Sequence, residues 1–250
     1  MKPHLSRYWL NNDRGQDPDG FDAEVKVVCD LYAKAKEYDR QGVHVVSTDE
    51  KTGIQALERK HPTKPVRPGQ VERREFEYIR HGTQTLIANF DVAQGTLAAP
   101  SIGPTRQEPD FAAHIEQTVA TDPDAAWIFI VDQLNTHQSE TLVRLVARRC
   151  QIEDGLGQKG KSGILKSMPS RAAFLSDPTH RIRFVYTPKH TSWLNQIEIW
   201  FSILVRRLLK RASFTSTQEL RTRILAFIDY FNRTLAKPFK GTYAGRPLQI

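Results

Sequence analysis

The sequence is poor in cysteine and has no long apolar run. Only two cysteines occur in 250 residues, Cys29 and Cys150, so at most one bridge is possible and a disulfide scaffold is excluded. The longest clear apolar run, Ala125 to Val131, has seven residues, far short of the ~20 that a membrane helix needs. The first residues, MKPHLSRYWLNN, lack the apolar stretch and small-residue cleavage site of a secretory signal. No internal repeat is present. These absences exclude membrane-spanning, small secreted and disordered classes and make the reducing cytoplasm the expected location. What remains is ordinary for a globular chain, with 39% hydrophobic and 26% charged residues and ample length for a core.

Charge is abundant but uneven. The net formal charge is +8, yet residues 1–140 hold 16 basic and 22 acidic side chains, net −6, whereas residues 141–250 hold 20 and 6, net +14. A basic half of that size suits a polyanion such as nucleic acid; a solvated surface is the plainer alternative.

Hydrophobic spacing predicts an α/β layer structure with a mixed sheet. Residues 1–20 read as linker, and Phe21, Val25, Val28, Tyr32 and Ala35 mark a helix over 21–38. Val43–Thr48 reads as a short strand running into Asp49, and the proline-rich 60–70 as a loop. Phe76–Arg80, Thr83–Phe90 and a piece after Gly95 read as an antiparallel meander. A helix over 111–120, a strand over 127–131 that ends at Asp132, and a helix over 139–149 follow. Residues 151–180, rich in Gly, Ser and Lys, read as an insertion or mobile loop with a short helix near 164–174. A strand over 181–186, one long helix over 192–211 and a helix over 217–235 complete the chain.

Three acidic residues stand out. Asp49 and Asp132 each follow a hydrophobic strand, and in parallel sheets ligands bind beyond the strands' carboxyl ends. Two carboxylates facing one another there repel unless a cation lies between them. Glu198 lies early in the helix after the next strand, with Asn195 and Ser202 on its face and mostly apolar neighbours. Three hard oxygen ligands suit Mg²⁺ or Mn²⁺, and a metal pair ~4 Å apart serves phosphodiester chemistry. Turn, cap and macrodipole roles explain the same residues without a metal.

Four ordered blocks carry a resemblance: STDEKTGIQALER (47–59), RHGTQTLIANFDVAQG (80–95), FIVDQLNTH (129–137) and TPKHTSWLNQIEIWFSILVRRLL (187–209), with KPFKGTYAGRPL (237–248) at the end. Together they resemble the insertion sequence 630 group of bacterial transposases, relatives of the mariner elements. The resemblance implies a DDE catalytic domain of ribonuclease-H-like fold, with a mixed five-stranded sheet flanked by helices, over 41–250. Residues 1–40 would be linker and N-terminal helix at the join to a helix-turn-helix region not present in this chain. Asp49, Asp132 and Glu198 would be the catalytic acids, binding two Mg²⁺ (or Mn²⁺), with His137 and Asn195 in support. The chemistry implied is hydrolysis at transposon ends followed by attack of the freed 3′-hydroxyls on target DNA, at TA sites in this group, by a homodimer associated with the bacterial nucleoid. A nuclease or resolvase of the same fold, and an inactive DNA-binding remnant, are the alternatives.

The sequence departs from the group's pattern at Gln133, around Trp193 and Gln196, and at Gly241, none of which removes a carboxylate. The 66 positions from Asp132 to Glu198 exceed the usual spacing, and residues 151–180 account for the excess. Lys159, Lys161 and Lys166 on this segment are expected to contact DNA. So are Lys189 and His190, together with Arg206, Arg207, Lys210 and Arg211 at the basic end of the Glu198 helix. Trp193 is a candidate for stacking on a base, or for helix packing. Glu50 should face away from Asp49 and reads as structural; Asp91 reads as a turn residue; His81 and His190 make a poor zinc site. GLGQKGKSG (155–163) does not fit the P-loop spacing.

Overall fold

Val43 opens the strand from which the sheet is built. The computed structural model describes residues 18–152 and 154–238; the stretch 1–17, read as linker, and the C-terminal signature beyond residue 238 lie outside them. Helix α1 (Pro18–Arg40) leads into β1 (Val43–Arg59), which forms an antiparallel meander with β2 (Tyr78–Asp91) and β3 (Thr96–Gly103). Helix α2 (Glu108–Val119) then crosses to β4 (Ala126–Val131), followed by α3 (Glu140–Cys150), α4 (Met168–Leu175) and β5 (Ile182–Tyr186). Helices α5 (Ile197–Leu204) and α6 (Thr217–Thr234) close the described chain. The sheet order is β3–β2–β1–β4–β5, with β4 parallel to β1 and to β5. This is the mixed five-stranded sheet expected. No helix among the described residues is long and apolar enough to cross a membrane.

Alternation along the central strands sends side chains to two covered faces. On one face Val46, Phe129, Val131 and Phe184 pack with Phe111 and Ile115 of α2 and Leu142 and Val146 of α3. On the other, Val45, Ile128 and Ile130 meet Val28, Leu31, Tyr32 and Ala35 of α1. Further along the meander, Ile54, Ala56, Leu86 and Ala88 pack under Trp200 and Phe201 of α5 and Ile224 and Ile228 of α6.

Four expectations are corrected. The strand over 43–48 runs on through Asp49 to Arg59, because β2 pairs with it from Val46 to Arg59, across two register shifts; the expected strands over 76–80 and 83–90 are one strand from Tyr78. Residues 151–180 do not form a mobile loop: Leu165 and Leu175 are fully buried in the core. Ser167 and Ser170 form a reciprocal cap on α4, and Gly157, at φ +70°, sits where a Cβ would lie 2.2 Å from the Ser162 carbonyl oxygen. Finally, the helix expected over 192–211 is broken. A single 3₁₀ turn, Ser192–Leu194, precedes α5, and a π-helical turn, Val205–Leu209, continues it. The break falls at Asn195, whose side chain leaves the helical path to bind β1.

Candidate active site

Register brings the first two carboxylates side by side. Parallel pairing of β1 with β4 has Ser47 opposite Ile130 as its last partners, and two residues further along each chain stand Asp49 and Asp132. Asp132 thus lies just past the end of β4, as expected. Asp49 lies within β1, opposite Ala88 of β2, where β1 outlasts its parallel neighbour.

Asp49 is held at both oxygens. Its Oδ1 accepts the Glu50 amide at 2.7 Å and its Oδ2 accepts Nδ2 of Asn195 at 3.1 Å. The same Nδ2 donates to the Thr48 carbonyl at 3.1 Å, and Oδ1 of Asn195 accepts the Ser47 hydroxyl. Ser47 Oγ in turn accepts the Ile197 amide at 3.0 Å, while the Tyr32 hydroxyl donates to the Leu194 carbonyl at 2.9 Å. Residues 194–197 are thereby fastened to β1 and α1. Glu198, in the first turn of α5, is delivered to the same end of the sheet.

Asp132 is held from the opposite face. Its Oδ1 accepts the Leu134 amide at 2.9 Å and lies 2.8 Å from His137 Nδ1. Nε2 of His137 lies 3.2 Å from Oε1 of Glu50. The imidazole is fully buried and the Glu50 side chain is 2% exposed, whereas the Asp132 side chain is 44% exposed. The Phe111 ring lies 4.2 Å from the imidazole, centroid to centroid, and the Tyr186 hydroxyl donates to the His137 carbonyl at 2.9 Å.

The proton affinities follow from this geometry. Burial is the main cause that pushes the Asp49 carboxyl up to about 7; the charges of Asp132, Glu50 and Glu198 add to it, against the Glu50 amide bond. Burial acts against the charge on His137 too, but the two carboxylate partners outweigh it and raise the imidazole to about 10. For Asp132, burial is outweighed by His137, which holds the carboxyl below the usual range. Asp49 is therefore a carboxylate whose ionisation is opposed by other carboxylates. An all-oxygen set with that deficit fits a hard divalent cation, which relieves the repulsion and tolerates water and phosphate in its remaining positions.

The other candidate residues occupy the surface. Lys159, Lys161 and Lys166 are exposed on the 155–166 segment, Lys159 lying 3.8 Å from Glu108. Lys189 and His190 are exposed in the loop after β5, His190 at φ +61°. Trp193 is 52% exposed. Arg206, Arg207, Lys210 and Arg211 are exposed along and after the π-helical turn. Asp91 is the turn residue expected, its Oδ1 accepting the Gln94 amide at 2.9 Å. His81 pairs with Glu58 at 2.6 Å.

Sequence reasoning missed the part played by Ser47, Tyr32 and Arg171. Arg171, from α4, donates to the carbonyl of Gln138 at 2.6 Å, so the 151–180 segment fastens the chain directly after His137. A polar Ser within the apolar VHVVS run was the one available signal. A second mixed cluster also went unread. Ligand atoms of Asp39, His44 and Asp91 lie within 4.8 Å of one another, and His44 Nε2 lies 3.0 Å from Asp122.

Comparison with known proteins gives a family and a fold. The profile of the family described as DDE superfamily endonuclease matches residues 44–221, well over half of the chain. No curated protein matches the sequence. Among solved structures, the chain is similar to the Mos1 mariner paired-end complex with Mn, at 14% identity and a TM-score of 0.53, covering 90% of this chain and 58% of that one. It is similar also to a pre-cleavage Mos1 transpososome, at 13% identity and a TM-score of 0.50, covering 90% and 59%. The chain thus spans less than two thirds of these two transposase chains, and what it shares with them is the ribonuclease-H-like fold.

Proposed function

We propose that this chain, which belongs to the DDE superfamily of endonucleases, is the catalytic core of a DNA transposase of the insertion sequence 630 group, with residues 41–250 as its catalytic unit. Asp49, Asp132 and Glu198 would hold two Mg²⁺, with Mn²⁺ as a substitute. The observation that carries this reading is the Asp49 carboxyl, raised to about 7 among three other carboxylates at the register point where β4 ends. A metal pair bound there supplies activation of the attacking oxygen and charge neutralisation at the leaving oxygen of a phosphodiester.

The chain's own residues provide the rest. Asn195 fixes the rotamer of Asp49 and ties it to the start of α5, so that Asp49 and Glu198 move as one unit. His137 holds Oδ1 of Asp132, leaving Oδ2 without a hydrogen-bond partner among the described residues. Arg206, Arg207, Lys210 and Arg211, with Lys189, His190 and the lysines at 159, 161 and 166, would neutralise phosphates along the bound strands. Trp193 would stack on an unpaired base at the rim. The substrate is DNA, transposon ends and then a target, in keeping with the paired-end and transpososome states named for the solved relatives. A homodimer on DNA, TA targets and action at the bacterial nucleoid follow from the resemblance.

The test is cleavage and strand transfer on duplexes bearing the element's ends, in Mg²⁺. Asp132→Asn should lower both by about 10³-fold or more, the several kcal/mol that a metal contributes at a phosphoryl centre. Wild-type cleavage without joining of precut ends would assign a nuclease or resolvase. Salt-sensitive DNA binding with no Mg²⁺-dependent nicking would assign a binding remnant.

A further inference from the structure

We infer that Glu50 is a positioning residue of the metal site, acting through His137 on Asp132. The inference rests on the metal-site reading above and extends it to a residue whose sequence pattern marked it only as structural.

Strand alternation sends Asp49 to one face of β1 and Glu50 to the other. Asp49 meets Asn195 of the α5 side; Glu50 meets His137, which is wedged under Phe111 of α2. A carboxylate as buried as that of Glu50 (2% exposed) is costly unless paired, and its partner is the ring nitrogen opposite the one that faces Asp132. The line Glu50 Oε1–His137 Nε2, 3.2 Å, then His137 Nδ1–Asp132 Oδ1, 2.8 Å, fixes the imidazole at both ends. With both nitrogens engaged the ring cannot flip or rotate about its axis. Oδ1 of Asp132 is thereby pinned between Nδ1 and the Leu134 amide, and the carboxylate plane that sets the direction of Oδ2 is fixed. Carboxylate–histidine pairs behind metal ligands commonly tune affinity in this way. Consecutive residues of one strand thus serve the two metal-binding aspartates, Asp49 as a ligand and Glu50 as the support of the other.

The experiment measures Mn²⁺ binding to the whole chain, without DNA, from the electron paramagnetic resonance signal of free Mn²⁺, alongside thermal unfolding. Glu50→Asp withdraws the carboxylate by one methylene and should weaken Mn²⁺ binding about 10-fold or more, within the range seen when outer partners of metal ligands are removed. Glu50→Gln keeps the length and an acceptor oxygen and should stay within about threefold of wild type. A wholly structural role would lower the melting temperature of Glu50→Asp and leave Mn²⁺ affinity unchanged, which overturns the inference. The reversed ranking, with Gln weak and Asp normal, also overturns it, since charge and not position would then matter. Asp132→Asn separates the two levels. If it loses Mn²⁺ while Glu50→Asp binds normally, only the role of Glu50 falls; if Asp132→Asn binds as wild type does, the metal-site reading itself falls.

Discussion

Strand β1 carries two acidic clusters, and they handle their charge in opposite ways. Near its start, Asp39, Asp91 and Asp122 surround His44. The Asp91 carboxylate, 3.8 Å from Nδ1, chiefly raises that imidazole to about 9, with Asp122 adding to it and burial opposing. The raised imidazole favours carrying its proton and so supplies a cation of its own to the three carboxylates, at a place where Asp39, His44 and Asp91 would also admit a metal. Five residues along the strand, Asp49 is crowded by Asp132, Glu50 and Glu198. There the one imidazolium, His137, is committed to Asp132 and Glu50, and Asp49 is left with an amide donor and a backbone N–H. Acidic density alone does not mark a metal site; the cluster whose charge its own cations do not cancel is the one that calls for a metal.

The sharpest way to break this contrast is catalytic. Asp132→Asn should reduce Mg²⁺-dependent cleavage by about 10³-fold, whereas Asp91→Asn, in the self-compensated cluster, should leave it within about threefold of wild type. Comparable losses from both variants would erase the distinction.

Next in size is the clasp on Asp49. Asn195→Ala strips Asp49 and the Thr48 carbonyl of a donor and the buried Ser47 hydroxyl of its acceptor. It should cost about 1–3 kcal/mol in urea unfolding and depress cleavage as well. An intact cleavage rate would show that α5 reaches its place without the clasp.

A third contrast lies in the response to pH and metal. The folded-state pKa of Asp49 stands above its ordinary value, so the group favours folding at low pH and this contribution is lost as pH rises through about 7. Metal-free Asp49→Asn should therefore be the more stable protein at pH 8. Mg²⁺ should raise the melting temperature of wild type there, about 2–4 °C per kcal/mol of binding energy, and should leave Asp49→Asn unmoved. A thermal shift in the variant equal to wild type would place the cation elsewhere.

The smallest effect belongs to His44. Its folded pKa of about 9 exceeds the unfolded value, so its contribution is complete below about pH 6.5 and disappears as pH rises through 9. His44→Gln should flatten the decline in stability between pH 6.5 and 9, and the imidazole resonance should titrate near 9 by NMR. The energy will be modest because the ring is partly open to solvent.

Much of this was readable in the residues. The apolar run 127–131 and the strand over 182–186 locate β4 and β5, and Asp132 and His137 follow from them. The continuation of β1 was not readable, because Asp49, Glu50, Lys51, Thr52 and Gly53 break the apolar pattern just where β2 takes over as its sole neighbour. Pairing with β2, and not local preference, holds that stretch in the sheet, across an irregularity at Thr52–Gly53 where Gly53 takes φ +64°. The 151–180 segment hid its fold for a related reason: Leu165 and Leu175 are too far apart to show a period, yet both fill the core. The break before α5 was invisible because Asn195 is an acceptable helix residue until Asp49 and Thr48 compete for its amide. Glu50 alternates as expected, but the histidine that gives it a purpose is 87 residues away.

The fastening of residues 194–197 to β1 and α1 has a consequence for how such chains diverge. Because Asn195, Ser47 and Tyr32 set where α5 begins, the path between the second and third carboxylates is free of any duty to measure distance. The 66 positions from Asp132 to Glu198 end at that latch by whatever route they take. On the proposed site, Glu198 arrives at a docking joint and not at the end of a ruler, so the path before it could change length without retuning the chemistry it spans.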